Sequence, residues 1–175
     1  MSDSEQEQKD REYAKLALHS LEKAGAQKSV VSFVRQKKQE MNVDMGSLAL
    51  MRTSFDVVLQ MAVIKDNKRA GIVLNQISKD SIEKAAQEVM ESAEYAEPDN
   101  SHDISEYQQP EIFDNRVVTS KLTLMYDRLN GFLTDVKKSY PEITLGTTVL
   151  DFMRHTSHFL NSNGVYFTVR KGIYD

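Results

Sequence analysis

Phe55-Asp56-Val57-Val58-Leu59-Gln60-Met61-Ala62-Val63-Ile64-Lys65-Asp66-Asn67-Lys68-Arg69-Ala70-Gly71-Ile72-Val73-Leu74 is the stretch on which the fold turns. Phe55, Val57, Leu59, Met61 and Val63 fall at every second position, the period of a half-buried strand. Lys65-Asp66-Asn67-Lys68 is a turn signal, because Asp and Asn tolerate the backbone of a tight turn. Ile72 and Leu74 then resume the alternation. Two such runs around a short polar tip predict an antiparallel hairpin.

Upstream, Val31 and Phe33 alternate with polar residues, and Met41 and Val43 repeat the pattern beyond a charged middle. The block from Lys28 to Ile77 therefore reads as an antiparallel meander. Its charged middle, Arg35-Gln36-Lys37-Lys38, is the densest basic stretch. It reads as a solvated strand edge, where lysine discourages unwanted pairing.

A helix precedes the meander from Asp10, with Tyr13, Leu16, Ala17, Leu21 and Ala24 on one face and Gly25 stopping it. Residues 1–9 have no apolar periodicity and are expected to be a disordered tail. After the meander, Ser78 caps a second helix whose stripe is Ile82, Ala85, Ala86, Val89, Met90 and Ala93. Glu97-Pro98 ends it. Residues 98–117 read as an exposed irregular loop. A third helix is expected from Val118 to Ser139, burying Leu122, Met125, Leu129, Phe132, Leu133 and Val136. Pro141 closes it. The block from Ile143 to Tyr174 returns to strands, around an Asn163-Gly164 hairpin turn. The predicted fold is α+β, an antiparallel sheet with about three helices packed on one face.

The 175 residues suit one domain, here residues 10–175; 40% are hydrophobic and 27% charged, ordinary globular usage. The chain has no cysteine, which excludes disulfides, thiolate zinc sites and cysteine nucleophiles. The polar start lacks the features of a signal peptide, and no apolar run reaches the roughly 18 residues of a membrane span. These features point to the cytoplasm. The net charge of −4, with both signs mixed along the chain, argues against a broad nucleic-acid surface. The strand that follows Asn163-Gly164 stops at Asp175, so the chain is expected to be part of a longer protein.

Candidate chemistry is sparse. His155 and His158 have HxxH spacing, with Asp151 four residues before His155. On a helix the three would share a face and could hold a metal. The surrounding pattern is strand-like, however, and residues i and i+3 of a strand face opposite sides. There is no HExxH, GxSxG, P-loop or GxGxxG. Glu94 and Glu97 read as surface charge rather than an acid–base pair. Arg154, Phe159, Tyr166 and Phe167 could stack on bases, but core packing is the stronger reading. The residues themselves supply no catalytic, cofactor-binding or metal site.

Several stretches together resemble one family. They are Ala24-Gly25-Ala26 leading into the first strand, Asn42-Val43-Asp44-Met45-Gly46, Gly71-Ile72 followed by Ile77-Ser78 and an Ala-rich helix, Ala96-Glu97-Pro98-Asp99, and Leu160-Asn161-Ser162-Asn163-Gly164-Val165. In this order, over residues 10–175, they are similar to the N-terminal domain of the TldD/PmbA proteins. These are zinc metallopeptidases and their non-catalytic partners, also described as modulators of DNA gyrase. Asn42-Val43-Asp44 and Lys171-Gly172-Ile173-Tyr174 look like a branch from low-GC Gram-positive bacteria. Glu97-Pro98-Asp99 looks closer to the non-catalytic PmbA (TldE) side.

The resemblance implies a structural and substrate-access domain of a peptidase assembly acting on unfolded peptides. It implies a homodimer or a TldD/TldE-type partner chain. It also implies that any zinc is held by an HExxxH helix in a C-terminal domain that lies outside this chain. Two other readings stand beside it. One is a freestanding protein-binding module without catalysis. The other is an enzyme built on Asp151, His155 and His158.

Overall fold

The computed structural model describes residues 2–115 and 121–175. The elements in chain order are α1 (Asp3–Lys23), β1 (Lys28–Asp44), β2 (Ser47–Lys65), β3 (Lys68–Leu74), α2 (Lys79–Glu94), β4 (Glu111–Asn115), α3 (Leu122–Ser139), β5 (Thr147–Asn161) and β6 (Tyr166–Tyr174). Among the described residues the strands form one sheet in the order β3-β2-β1-β5-β6-β4. It is mixed, although mostly antiparallel, and the fold is α+β. The decisive hairpin is present: β2 pairs antiparallel with β3 from Leu59↔Leu74 to Lys65↔Lys68. Asp66 and Asn67 both have positive φ, 53° and 61°, the pattern of a type I′ turn. Met45 and Gly46 repeat it between β1 and β2, at 46° and 81°.

By its contacts the chain divides into two compact units. The first is Met1–Arg35, Asp56–Asp114 and Thr156–Arg170; the second is Gln36–Phe55, Asn115–His155 and Lys171–Asp175.

In the first unit α1 packs on α2 and α2 on β3. Val31 and Phe33 of β1, Leu59, Met61 and Val63 of β2, and Leu160 of β5 meet the buried stripes of both helices. Each large side chain buried there contributes about 1.5–3 kcal/mol. The α2 stripe is the one that the 3.6-residue period predicts: Ile82, Ala85, Ala86, Val89, Met90 and Ala93 are all buried. Ser78 caps α2 and accepts from the Ser81 amide at 3.1 Å. Gly25, at φ +98°, ends α1, with the Ala26 amide donating to the Leu21 carbonyl at 3.1 Å, a Schellman closure.

In the second unit a smaller core joins Met41 and Val43 of β1, Met125 and Leu129 of α3, and Phe152 of β5. The Tyr174 ring lies 4.7 Å from that of Phe152.

Four expectations need correction. The first helix starts at Asp3, not Asp10, so most of the segment read as a disordered tail forms its opening turns. The cause is a capping box: the Glu5 amide donates to Ser2 Oγ at 3.2 Å, and the Ser2 amide to Glu5 Oε2 at 2.7 Å. The segment read as a loop over 98–117 contains β4. Ser105 ties its middle to the β5–β6 turn, because the Asn161 and Asn163 side chains both donate to the Ser105 carbonyl.

Arg35-Gln36-Lys37-Lys38 lies on β1, between β2 and β5, and so is not a sheet edge. Its charge is paired instead: Arg35 grips Asp10 with two bonds, and Lys38 binds Glu40 and Asp151. The third helix is described from Leu122, and its expected start at Val118 lies outside the described residues. Its face is narrower than predicted, since Met125 and Leu129 are buried but Phe132 is 50% exposed.

Candidate interaction surface

Asp151, His155 and His158 all lie on β5. Alternation puts His155 and His158 on opposite faces of the strand, and they fall in different units. Asp151 is taken by Lys38 at 2.6 Å. His158 is fully buried and bonds through Nδ1 to Thr168 Oγ1 at 3.0 Å. Burial lowers its pKa, and His155 is lowered by its own burial. Among the described residues no three His, Asp or Glu side chains converge as metal ligands would. The base-stacking candidates pack on one another: Phe167 meets Phe113 edge-on at 5.6 Å and Phe159 at 6.5 Å. Tyr166 lies between His158 and the Arg11 guanidinium. Glu94 and Glu97 are exposed.

In the first unit two arginines hold α1. Arg170 binds Glu7 with two bonds and Asp114 with a third. Asp10, with a side chain only 2% exposed, is held by Arg35 at 2.6 Å and by Gln6 at 2.8 Å. Glu7 and Asp10 are thereby fixed to the sheet by Arg170 and Arg35, and Asp114 joins β4 to β6.

The second unit presents a different surface. β3 pairs with β2 only over Leu59–Lys65. Residues 47–58 of β2 therefore have no strand partner on that side among the described residues, and 47–55 of these belong to the second unit. Residues 47–53 are exposed on both faces of the strand. They carry Leu48, Leu50 and Met51, with Phe55 beyond at 67% exposure. Phe55 was expected on the buried face. The alternation holds, but the cover that buries Leu59, Met61 and Val63 does not extend to it.

An unpaired edge exposes a row of backbone donors and acceptors, and water-facing leucine and methionine add an apolar cost. A groove of about 450 Å³ lies where this edge begins. It is lined by Met45, Ser47, Leu133, Val136, Lys137 and Ile143, among others. A small cleft beside it, lined by Leu48, Tyr126 and Leu129, shares Gly46, Asn130 and Leu133 with the groove.

The cations here are ordered. Lys38 and Arg52 both bond Glu40, at 2.8 and 3.1 Å. Their hydrogen bonds, Lys38 first, hold the Glu40 carboxyl down to about 2. Lys37 sits 5.7 Å above the Phe55 ring. The sequence carried a signal for this surface in Leu48-Ala49-Leu50-Met51, where consecutive rather than alternate residues are apolar. Such a run leaves no polar face for water.

No protein-family profile matches this sequence, and no curated protein matches it. Solved structures do. TldE from Thermococcus kodakarensis superposes with a TM-score of 0.76 at 13% identity, over 91% of this chain and 37% of its own. A proposed modulator of DNA gyrase from Bacteroides thetaiotaomicron gives 0.77 at 13% identity, over 95% and 39%. The chain has a TldD/PmbA-type domain fold. A third structure, a proposed modulator of a DNA gyrase from Thermotoga maritima, gives 0.66 at 13% identity, over 93% and 37%. The TldD/PmbA-type fold thus takes in nearly all of this chain, while the chain spans under two-fifths of each of these proteins. No helix among the described residues is long and apolar enough to cross a membrane.

Proposed function

We propose that this chain is the N-terminal structural and substrate-access domain of a TldD/PmbA-type peptidase assembly, with any zinc chemistry supplied by a C-terminal domain. Its role is to receive unfolded peptide, not to cut it. The observation that carries this reading is the free edge of β2 over residues 47–55, open on both faces and rich in exposed apolar side chains. An extended peptide satisfies such an edge by adding a strand: main-chain bonds supply affinity and the adjoining groove takes a side chain. The TldD/PmbA-type fold supports the reading from outside the chain. We place the assembly in the bacterial cytoplasm, as a homodimer or with a TldD/TldE-type partner, in keeping with the cysteine-free composition.

The test is fluorescence anisotropy with an unstructured apolar peptide and the same peptide N-methylated at alternate residues. Strand addition predicts binding of the first and loss of binding for the N-methylated form that blocks the paired amides. Equal binding of both forms contradicts it. A freestanding protein-binding module is the second reading, favoured by the same exposed apolar surface. It predicts capture of a folded partner and indifference to unfolded peptides.

A further inference from the structure

The two units carry opposite charge. The first holds twelve lysines and arginines against nineteen aspartates and glutamates, a net −7. The second holds ten against seven, a net +3. The free β2 edge and the groove both lie in the basic unit.

The basic excess reaches the surface where an added strand would lie. Lys137 lines the groove at the start of the edge. Arg52 stands on the edge strand with its side chain 58% exposed and pairs with Glu40 at 3.1 Å. Lys37 caps the exposed Phe55 ring near the other end. Glu40 and Asp151 together face Lys38 and Arg52, which leaves Lys37 and Lys137 as the outward cations of this surface with no close carboxylate among the described residues. A strand lying on the edge alternates its side chains between the two sheet faces. On either face it meets both apolar surface and a cation: Leu48, Leu50 and Arg52 on one, Met51 and Phe55 with Lys37 on the other.

We propose that this edge selects extended peptide segments in which carboxylates are interspersed with large apolar residues, a choice of substrate class that rests on the docking reading above. The apolar residues fill the groove and cover the leucines and methionines. The carboxylates meet Lys37 and Lys137, beside an Arg52 already shared with Glu40. Electrostatic complementarity of this kind sets which segment is accepted more than how tightly any segment binds. A basic segment meets like charge at the same positions and is rejected.

The experiment uses the full 175-residue chain and three labelled decapeptides with the same leucines, spaced by glutamate, serine or lysine, plus a single-stranded oligonucleotide. The expected result is an affinity order of Glu over Ser over Lys. The two extremes should differ by about tenfold or more at low salt, and the gap should shrink as salt screens it. Lys37→Glu together with Lys137→Glu should compress that gap several-fold. Lys84→Glu, on the exposed face of α2, should leave it unchanged. Equal affinity for the three peptides overturns the charge selection while the strand-docking reading stands. Binding of none overturns both. Tighter binding of the oligonucleotide than of the glutamate peptide also overturns the proposal, since the basic surface would then serve nucleic acid.

Discussion

Arg170 on β6 donates to both carboxylate oxygens of Glu7 on α1, Nε at 2.9 Å and Nη2 at 2.5 Å. The two residues stand 163 positions apart in the chain. This fork ties the opening turns of α1, which have little apolar surface to bury, to the last strand. Together with the capping box at Ser2 it holds residues without apolar periodicity in the helix. Arg170→Leu should cost about 1–2 kcal/mol. Its effect should be concentrated at Ser4–Glu12, read as faster amide exchange there with the α2 amides unaffected. Uniform loss of protection through both helices would contradict this.

The same bond gives an acid-side dependence. Hydrogen bonding from Arg170 lowers the Glu7 carboxyl below its ordinary value of 4.5. The unfolded carboxyl therefore takes up a proton at higher pH than the folded one. The stabilisation is complete above about pH 4.5 and is lost as pH falls through the lowered folded value. In Glu7→Gln that part of the acid-side loss should vanish from denaturant midpoints measured below pH 5.

His158 acts in a different pH window. Burial lowers its pKa from 6.5; the nearby Arg11 and Arg170 act the same way, and Glu7 and Asp10 oppose them. Among the described residues its Nε2 has no hydrogen-bond partner. The unfolded imidazole is thus protonated before the folded one. Stability is full above about pH 6.5 and declines as pH drops below it. His158→Leu should flatten stability between about pH 7 and pH 5, leaving the contribution of His155, whose pKa burial also lowers. An unchanged slope in that range would show that the ring is solvated when protonated.

Two features favour glycine at position 164. Its φ is +87°, and a Cβ there would meet the Tyr107 ring at 3.1 Å. Gly164→Ala should cost about 1–2 kcal/mol. Tyr107→Ala in the same background should recover the steric part only. Full recovery would mean that the backbone conformation carries no strain.

Much of this fold was legible where burial imposes a period. The hairpin of β2 and β3, the α2 stripe and the Asn163-Gly164 turn all follow from spacing, because one face of each element meets a core. Legibility failed where stabilisation is polar or missing. The start of α1 is held by Ser2, Glu5, Glu7 and Asp10, for which hydrophobic periodicity is blind. The capping box Ser2-Asp3-Ser4-Glu5 was nevertheless readable. β4 is exposed along its whole length, so it has no alternation to detect. The β2 edge was hidden for the opposite reason. Leu48, Leu50, Met51 and Phe55 look like core residues, and only the short reach of β3 shows that they stay exposed among the described residues.

The account rests on that edge, and amide hydrogen exchange across Ser47–Phe55 tests it most directly. Alone, the amides of this stretch that point away from β1 should exchange rapidly, while those of Leu59–Lys65 stay protected by β3 on one side and β1 on the other. Adding a saturating unstructured peptide of leucine and glutamate should slow the outward amides at alternate positions by about tenfold or more. Exchange that is already slow in the free chain, or unchanged when peptide is bound, would contradict the claim that this strand receives a peptide.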